Sequence, residues 1–136
     1  MNPTHAVQVE GEELYLRAAS GDDMPRVYRD WMMSYRGRSR CDVDIYAVWQ
    51  RWLIGQLWDD VSILYRNGTE IHGWICGEPG LLHYVYVPIE LRRRGAARAM
   101  VAAYCGADGE HTHRRMAGLQ GFVTWRYNPY RIGMVE

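Results

Sequence analysis

The sequence of 136 residues contains no lysine, so arginine supplies all 16 of its basic side chains. These balance 16 acidic side chains, and a net charge of zero gives no overall field that would draw the chain onto nucleic acid or a membrane surface. No apolar run approaches the roughly 20 residues that a membrane-spanning helix needs. The length predicts a single domain over residues 1–136 with one hydrophobic core, and it is too short for two domains.

Cysteine is also scarce. Cys41, Cys76 and Cys105 are an odd number, at spacings that match no zinc or redox motif, which favours reduced thiols in the cytoplasm. The N-terminus lacks the basic and then apolar pattern of a signal peptide, and residues 1–13 are polar enough that we expect them to be flexible. The sequence therefore predicts a soluble cytoplasmic protein.

The first half of the chain predicts a strand and two helices. Leu14–Ala18 favours a strand, and Ser20 with Asp23 matches a capping box that begins a helix. The apolar residues of this first helix recur at helical spacing: Met24, Val27, Tyr28, Trp31 and Tyr35. A second helix, capped by Asp42 or Asp44, is predicted to bury a tryptophan-rich stripe consisting of Ile45, Val48, Trp49, Trp52, Leu53, Gln56 and Leu57.

Three strands and a helix follow. Asn67-Gly68 is a hairpin signal between Val61–Tyr65 and Glu70–Cys76, and a turn at residues 77–80 leads into a strand that Pro88 ends. Strong helix formers then fill Ala96–Tyr104, and Gly106 is suited to end that helix.

The loop before this last helix reads Arg92-Arg93-Arg94-Gly95-Ala96-Ala97. Glycine allows close approach of the backbone to a ligand, the two alanines are small, and the first N–H groups of a helix attract phosphate. The arginines add positive charge, so the loop is predicted to bind pyrophosphate. The alternative is a solvated basic turn.

The strand, the loop and the helix together resemble the GNAT superfamily of acyl-CoA-dependent N-acyltransferases, in which the loop signature is Arg/Gln-x-x-Gly-x-Gly/Ala. The resemblance extends to the opening strand and capped helix at residues 14–31. It implies an α+β fold, an α/β/α sandwich whose mixed, mostly antiparallel sheet is flanked by helices. It also implies acetyl-CoA or another acyl-CoA as co-substrate, with the pyrophosphate at Arg92–Ala97 and the pantetheine arm along Val85, Tyr86 and Val87. Many members of the family are homodimers.

The catalytic groups are less clear from the sequence. The family often uses a tyrosine in its fourth helix to protonate the leaving thiolate, but Arg114–Gln120, the short helix expected there, has none. Tyr127 and Tyr130 are substitutes, with packing as the alternative. The candidate bases are His111 and His113, in a predicted short strand and otherwise at the surface, and His83, on the central strand and otherwise in the core. No cysteine or histidine at a suitable spacing completes a zinc site with the histidine pair.

The acceptor is left open. Arg36, Arg38 and Arg40 lie in the loop between the first two helices, where they either form a solvated turn or hold an anionic acceptor such as DNA. The C-terminal part, with a last strand expected over residues 121–125, is similar to small phage and prophage GNAT-like proteins, some grouped with the Mom DNA-modification proteins. The leading expectation is an N-acyltransferase acting on an amine. The alternatives are a Mom-like enzyme that modifies adenine in DNA, and a non-catalytic phage interaction protein.

Overall fold

A computed structural model describes residues 5–35, 43–66, 70–106, 108–112 and 125–128. In chain order these form seven strands and three α-helices: β1 (His5–Val9), β2 (Glu12–Ala18), α1 (Met24–Tyr35), α2 (Val43–Gln56), β3 (Val61–Arg66), β4 (Glu70–Glu78), β5 (Leu81–Tyr86), α3 (Ala96–Tyr104), β6 (Gly109–His111) and β7 (Trp125–Tyr127). The α+β class expected from the sequence is confirmed.

The strands lie in one sheet in their chain order, from β1 to β7. Neighbours from β1 to β5 are antiparallel, whereas β6 is parallel to β5 and β7 is parallel to β6. The sheet is therefore mixed and mostly antiparallel, as predicted. The three consecutive antiparallel strands β3, β4 and β5 also follow the prediction.

Two hydrophobic clusters divide the core between the two faces of the sheet. On one face α3 packs with Met100 and Val101 against residues such as Leu16, Leu64 and Ile75. The other face is covered by α1 and α2, whose main contributions are Val27, Trp31, Leu53, Ile54 and Leu57. Alternate residues of a strand point to opposite faces, which is how β3 and β4 serve both clusters.

Residues 1–13 were expected to be flexible, and the structure corrects this over residues 5–13. Val7 and Val9 are buried and alternate with exposed residues along β1, which pairs with β2 across a tight turn. Glu10 and Gly11 in that turn both have positive φ, 51° and 80°, as a type I′ hairpin requires. Only two apolar side chains reach the core from β1, so the stretch looks polar in the sequence.

The predicted tryptophan-rich stripe of the second helix is confirmed at Leu53 and Leu57 and wrong at Val48, Trp49 and Trp52. Trp49 and Trp52 are each about half exposed, at 52% and 49%, and Val48 is 72% exposed. The buried face of the helix is one step further round and consists of Gln50, Leu53, Ile54 and Leu57. Because α2 is apolar on most of its circumference, the helical period alone did not determine which side packs against the sheet.

The predicted capping box at the start of the first helical segment is present. The Asp23 carboxylate accepts hydrogen bonds from the Ser20 N–H at 2.8 Å and from both terminal nitrogens of Arg17, at 2.7 and 3.0 Å. This network attaches the end of β2 to the turn that leads into α1.

Candidate functional site

The site begins where β5 ends and the chain turns into α3. After Tyr86 a short 3-10 turn at Ile89–Leu91 leads to Arg92 and the loop. Arg93 and Gly95 both adopt left-handed backbone conformations, with φ of 68° and 82°. A Cβ placed on Gly95 would find none of the described atoms within 4 Å, so glycine is needed for the backbone angle and the space in front of it is open.

The N-terminus of α3 faces this open space. The first bond from the helix to its cap runs from the Ala99 N–H to the Gly95 carbonyl at 2.9 Å. The N–H groups of Ala96 and Ala97 precede it and have no partner within the helix, and Gly95 has no side chain to cap them. Together with the dipole of the helix, these N–H groups favour an anion.

The three loop arginines are exposed, as a binding role requires, but they differ in their contacts. Arg92 is held against the strand, because its Nε donates to the Val87 carbonyl at 2.7 Å and its guanidinium lies 5.5 Å from the centre of the Tyr86 ring. Arg94 Nε lies 3.9 Å from a carboxylate oxygen of Glu10 in the β1–β2 turn. Arg92 therefore shapes the loop, while Arg93 and Arg94 project from it.

Strands β5 and β6 separate near the start of β5. They pair at Leu81 with Glu110 and at Leu82 with His111, and the Thr112 N–H donates to the Leu82 carbonyl at 3.0 Å. Beyond Leu82, β5 continues along β4 alone as far as Tyr86, with no strand on its other edge in the described part of the chain. Alternate residues of this segment direct their N–H and C=O groups away from β4, so the edge can pair with an extended ligand.

A β-bulge lies at the point of separation. Cys76 and Gly77 are adjacent in β4, but their partners in β5 are Tyr84 and Leu82, which leaves His83 as the extra residue. Leu82 and Val85 pack with the α3 cluster and Tyr84 packs with the α1–α2 cluster, so the bulge interrupts the alternation of β5 between Leu82 and Tyr84.

The structure brings His83 together with a residue that the sequence did not indicate. His83 and Thr112 are both 3% exposed, and His83 Nδ1 lies 3.0 Å from the Thr112 hydroxyl oxygen. The direction of this hydrogen bond depends on the histidine tautomer. Thr112 follows His111 directly in the chain. The register of β6 on β5 therefore places His83 and His111 at the end of the paired segment.

The end of β6 is tied to β7 and the residue after it. His111 is half-buried, its backbone is in register with Tyr127, and its carbonyl accepts the Asn128 N–H at 2.8 Å. The Asn128 side-chain amide donates to the Glu110 carboxylate at 3.0 Å. The start of the predicted last strand, residues 121–124, lies outside the described residues, as does the predicted helix at Arg114–Gln120.

Several predicted site residues cannot be placed. Tyr130 and His113, two of the catalytic candidates, and the predicted acceptor-binding arginines Arg36, Arg38 and Arg40 all lie outside the described residues.

On the α1–α2 face, β5 carries an aromatic cluster that the sequence did not predict. Trp31 and Tyr84 stack with ring centres 5.4 Å apart, and Trp74 and Tyr86 stack at 5.8 Å. The Trp74 ring nitrogen donates to the buried Asp30 carboxylate at 3.2 Å. Tyr84 and Tyr86 are only half-buried, so the cluster gives this side of β5 a rigid aromatic surface.

The described cysteines do not have the properties of nucleophiles. Cys76 and Cys105 are buried, and burial raises the pKa of Cys76 well above its usual value and that of Cys105 to about 12. Within the described ranges, no group of three or more His, Cys, Asp or Glu side chains is arranged to hold a metal ion. Nor does any helix in those ranges have the length and apolarity to cross a membrane.

Comparison with known proteins gives no match to a protein-family model, a curated protein or a solved structure. The function therefore has to be argued from the geometry of the loop, the open strand edge and the histidines.

Proposed function

We propose that the protein is an acyl-CoA-dependent N-acyltransferase, with acetyl-CoA as the first co-substrate to test. The proposal rests on one observation above all. The open loop at Gly95 and the N–H groups of Ala96 and Ala97, which have no partner within the helix, follow the strand whose edge becomes free beyond Leu82 in the described part of the chain. An anion site and an adjoining strand edge suit a ligand with a pyrophosphate and an amide-containing arm.

The loop would bind the pyrophosphate. The N–H groups of Ala96 and Ala97 would donate to its oxygens, with Arg93 and Arg94 adding charge, while Arg92 keeps the loop in place through Val87. The pantetheine amides would pair with the free edge of β5 at Val85 and Tyr86.

The same edge would place the thioester near the point of strand separation. In the reaction the nitrogen of a neutral amine attacks the thioester carbonyl carbon, and the C–S bond breaks as the amide forms. The amine loses a proton and the departing thiolate gains one. A backbone N–H on β5 stabilises the oxyanion, and positioning and electrostatics supply most of the rate enhancement.

His83 is one described candidate to accept the proton of the amine, although its side chain is only 3% exposed. It lies at the bulge where the strands part, and Thr112 fixes its ring through the 3.0 Å contact at Nδ1. His111 is the alternative base. Tyr127 and Tyr130 remain the proposed donors to the thiolate.

A second candidate is modification of adenine in DNA. The observation in its favour is the exposed pair Trp49 and Trp52, whose rings stack with centres 5.0 Å apart beside the exposed Arg51. Such rings can stack on nucleic-acid bases. Mass spectrometry of an adenine-containing oligonucleotide after incubation with protein and acyl-CoA separates this candidate from transfer to small amines.

Thermal unfolding with and without acetyl-CoA tests the proposal. Acetyl-CoA at about 100 times its Kd should stabilise the wild type by about 2.7 kcal/mol. Ala97→Glu places a carboxylate beside the bound pyrophosphate and should abolish that shift. Gly95→Glu is less suitable, because the left-handed φ of Gly95 would strain any other residue.

Ala103→Glu is the matched control, because Ala103 is exposed near the other end of α3, about 9 Å along the helix. The Ala103→Glu protein should be stabilised by acetyl-CoA as much as the wild type. An unshifted wild type, or an Ala97→Glu protein that is stabilised as much as Ala103→Glu, would contradict the proposal.

A further inference from the structure

A cavity of about 430 Å³ lies on the α3 side of the sheet, between the β1–β2 turn and the loop before α3. Its apolar wall includes Val9 and Leu14 from the hairpin and Leu91 from the loop. The volume is within the range of small-molecule sites, about 300 to 1,000 Å³. The free edge of β5, His83 and His111 do not line the cavity, but Arg94 and Ala96 of the loop before α3 do.

The cavity wall contains a buried polar group without a hydrogen-bond partner. His72 is 8% exposed, and its Nε2 atom makes no hydrogen bond with any described residue. The nearest ionic group is a Glu70 carboxylate oxygen at 3.5 Å, which does not complete a hydrogen bond. Buried ring nitrogens are normally satisfied, but this atom is closed to solvent, so a ligand would reach it only after a movement of the cavity wall.

Charges of both signs lie at the mouth of the cavity. Glu10 comes from the hairpin turn and Arg94 from the loop, and their nearest atoms are 3.9 Å apart, too far for a hydrogen bond. Both side chains are more than half exposed. Glu12, also in the wall, is already engaged by Arg66 at 2.7 Å. Glu10 and Arg94 therefore retain the capacity to bind a ligand.

The backbone on both sides of the mouth is in an uncommon conformation. Glu10 and Arg93 have φ of 51° and 68°, in the left-handed region that non-glycine residues seldom adopt. For Glu10 the angle follows from the type I′ turn between β1 and β2, and for Arg93 it is part of the loop before α3. Here they orient the Glu10 side chain and the chain entering Arg94.

We propose that this cavity binds a free α-amino acid with a largely apolar side chain. The ammonium group pairs with Glu10, the carboxylate with Arg94, and the side chain packs against Val9, Leu14 and Leu91. A ligand with a single charge fits less well, because an anion meets Glu10 and a cation meets Arg94. The cavity shares Arg94 and Ala96 with the loop proposed to bind pyrophosphate, so an amino acid and acyl-CoA would compete for Arg94.

The test is calorimetric titration of the wild-type protein with each of the common L-amino acids up to about 10 mM. The tightest binder is then compared with its amide, which lacks the carboxylate, and with its deaminated acid. Each of these should bind at least tenfold more weakly. Glu10→Gln and Arg94→Gln should each weaken binding of the intact amino acid by at least tenfold.

Glu13→Gln is the matched control, because Glu13 is an exposed neighbour in β2 that does not line the cavity. It should leave the Kd within twofold of wild type. Unchanged thermal midpoints of the three ligand-free variants show that they are folded. The proposal is overturned if no amino acid binds, or if binding survives both Glu10→Gln and Arg94→Gln within twofold.

Discussion

Replacing Asp23 by asparagine tests the network that joins β2 to α1. The Asp23 carboxylate accepts two bonds from the Arg17 guanidinium and one from the Ser20 N–H, all at 2.7 to 3.0 Å. Burial alone would raise the pKa of Asp23, but the hydrogen bonds from Arg17 and Ser20 outweigh it and lower that pKa. Asparagine retains the shape but loses the charge and half of the Arg17 interaction.

The expected cost is about 2 kcal/mol, since a hydrogen bond to a charged group is worth about 1.5 to 3 kcal/mol. The Arg17 side chain is 35% exposed, so solvent weakens its contribution and the lower part of that range applies. For a chain of this size the thermal midpoint should fall by roughly 6 to 10 °C. Asp22→Asn, at the exposed neighbouring position, should change it by less than about 0.5 kcal/mol.

The assay is thermal unfolding of the three proteins from pH 7 to pH 3. Because the pKa of Asp23 is lower in the folded state, the ionised carboxylate contributes its full stability above the unfolded-state pKa, near 3.9. That contribution disappears as the pH falls through the folded-state pKa. The difference in thermal midpoint between wild type and Asp23→Asn should therefore be largest at pH 7 and become smaller as the pH falls toward 3. A gap that is independent of pH, or an equal loss in Asp22→Asn, would refute the reasoning.

Two further predictions concern the core. Gly73→Ala should lower the free energy of unfolding in urea by about 3 kcal/mol or more, because its Cβ would lie 2.5 Å from the Tyr86 carbonyl oxygen. Gly95→Ala meets no described atom and should cost only the backbone strain of about 1 to 2 kcal/mol. Equal losses in the two variants would contradict the packing described. Cys76 and Cys105 should react with a thiol reagent at pH 8 only after denaturant is added, since burial raises both pKa values, and rapid labelling of either in the native protein would contradict their burial.

The parts of the fold that the sequence predicted correctly are those governed by local chemistry. The bounds of α3 follow from the run Ala96–Tyr104 and from glycines on either side, which the structure places at φ of 82° and 99°. The capping box at Ser20 and Asp23 is equally local. Each depends on residues within one or two helical turns, so no knowledge of tertiary packing was needed.

The parts that failed depend on contacts between distant residues. The buried side of α2 is set by how the helix packs on β3 and β4. Leu53 and Ile54 are buried in that core, whereas Trp49 and Trp52 are about half exposed. The pairing of His83 with Thr112 joins residues 29 positions apart and also requires a bulge. Neither the register between β5 and β6 nor the bulge leaves a pattern in the sequence that periodicity can detect.

The proposed site combines these two kinds of feature. Its proposed phosphate-binding part, the loop from Arg92 to Ala97, came from the sequence, and the structure adds the left-handed backbone of Arg93 and Gly95 and the open space at Gly95. Its strand edge and the buried pair of His83 and Thr112 came only from the tertiary structure. Thr112 is therefore a proposed positioning residue that the sequence alone did not reveal.

The measurement that tests the central claim most directly is hydrogen–deuterium exchange with and without acetyl-CoA. The account predicts slower exchange of the backbone amides in two adjoining segments, the β5 edge at residues 84–87 and the loop and first turn of α3 at residues 93–98, because bound ligand would cover both. Peptides from β3, which is separated from β5 by β4, serve as an internal reference and should be unchanged. Binding of acetyl-CoA without protection of residues 84–98, or no protection anywhere at saturating ligand, would contradict the account.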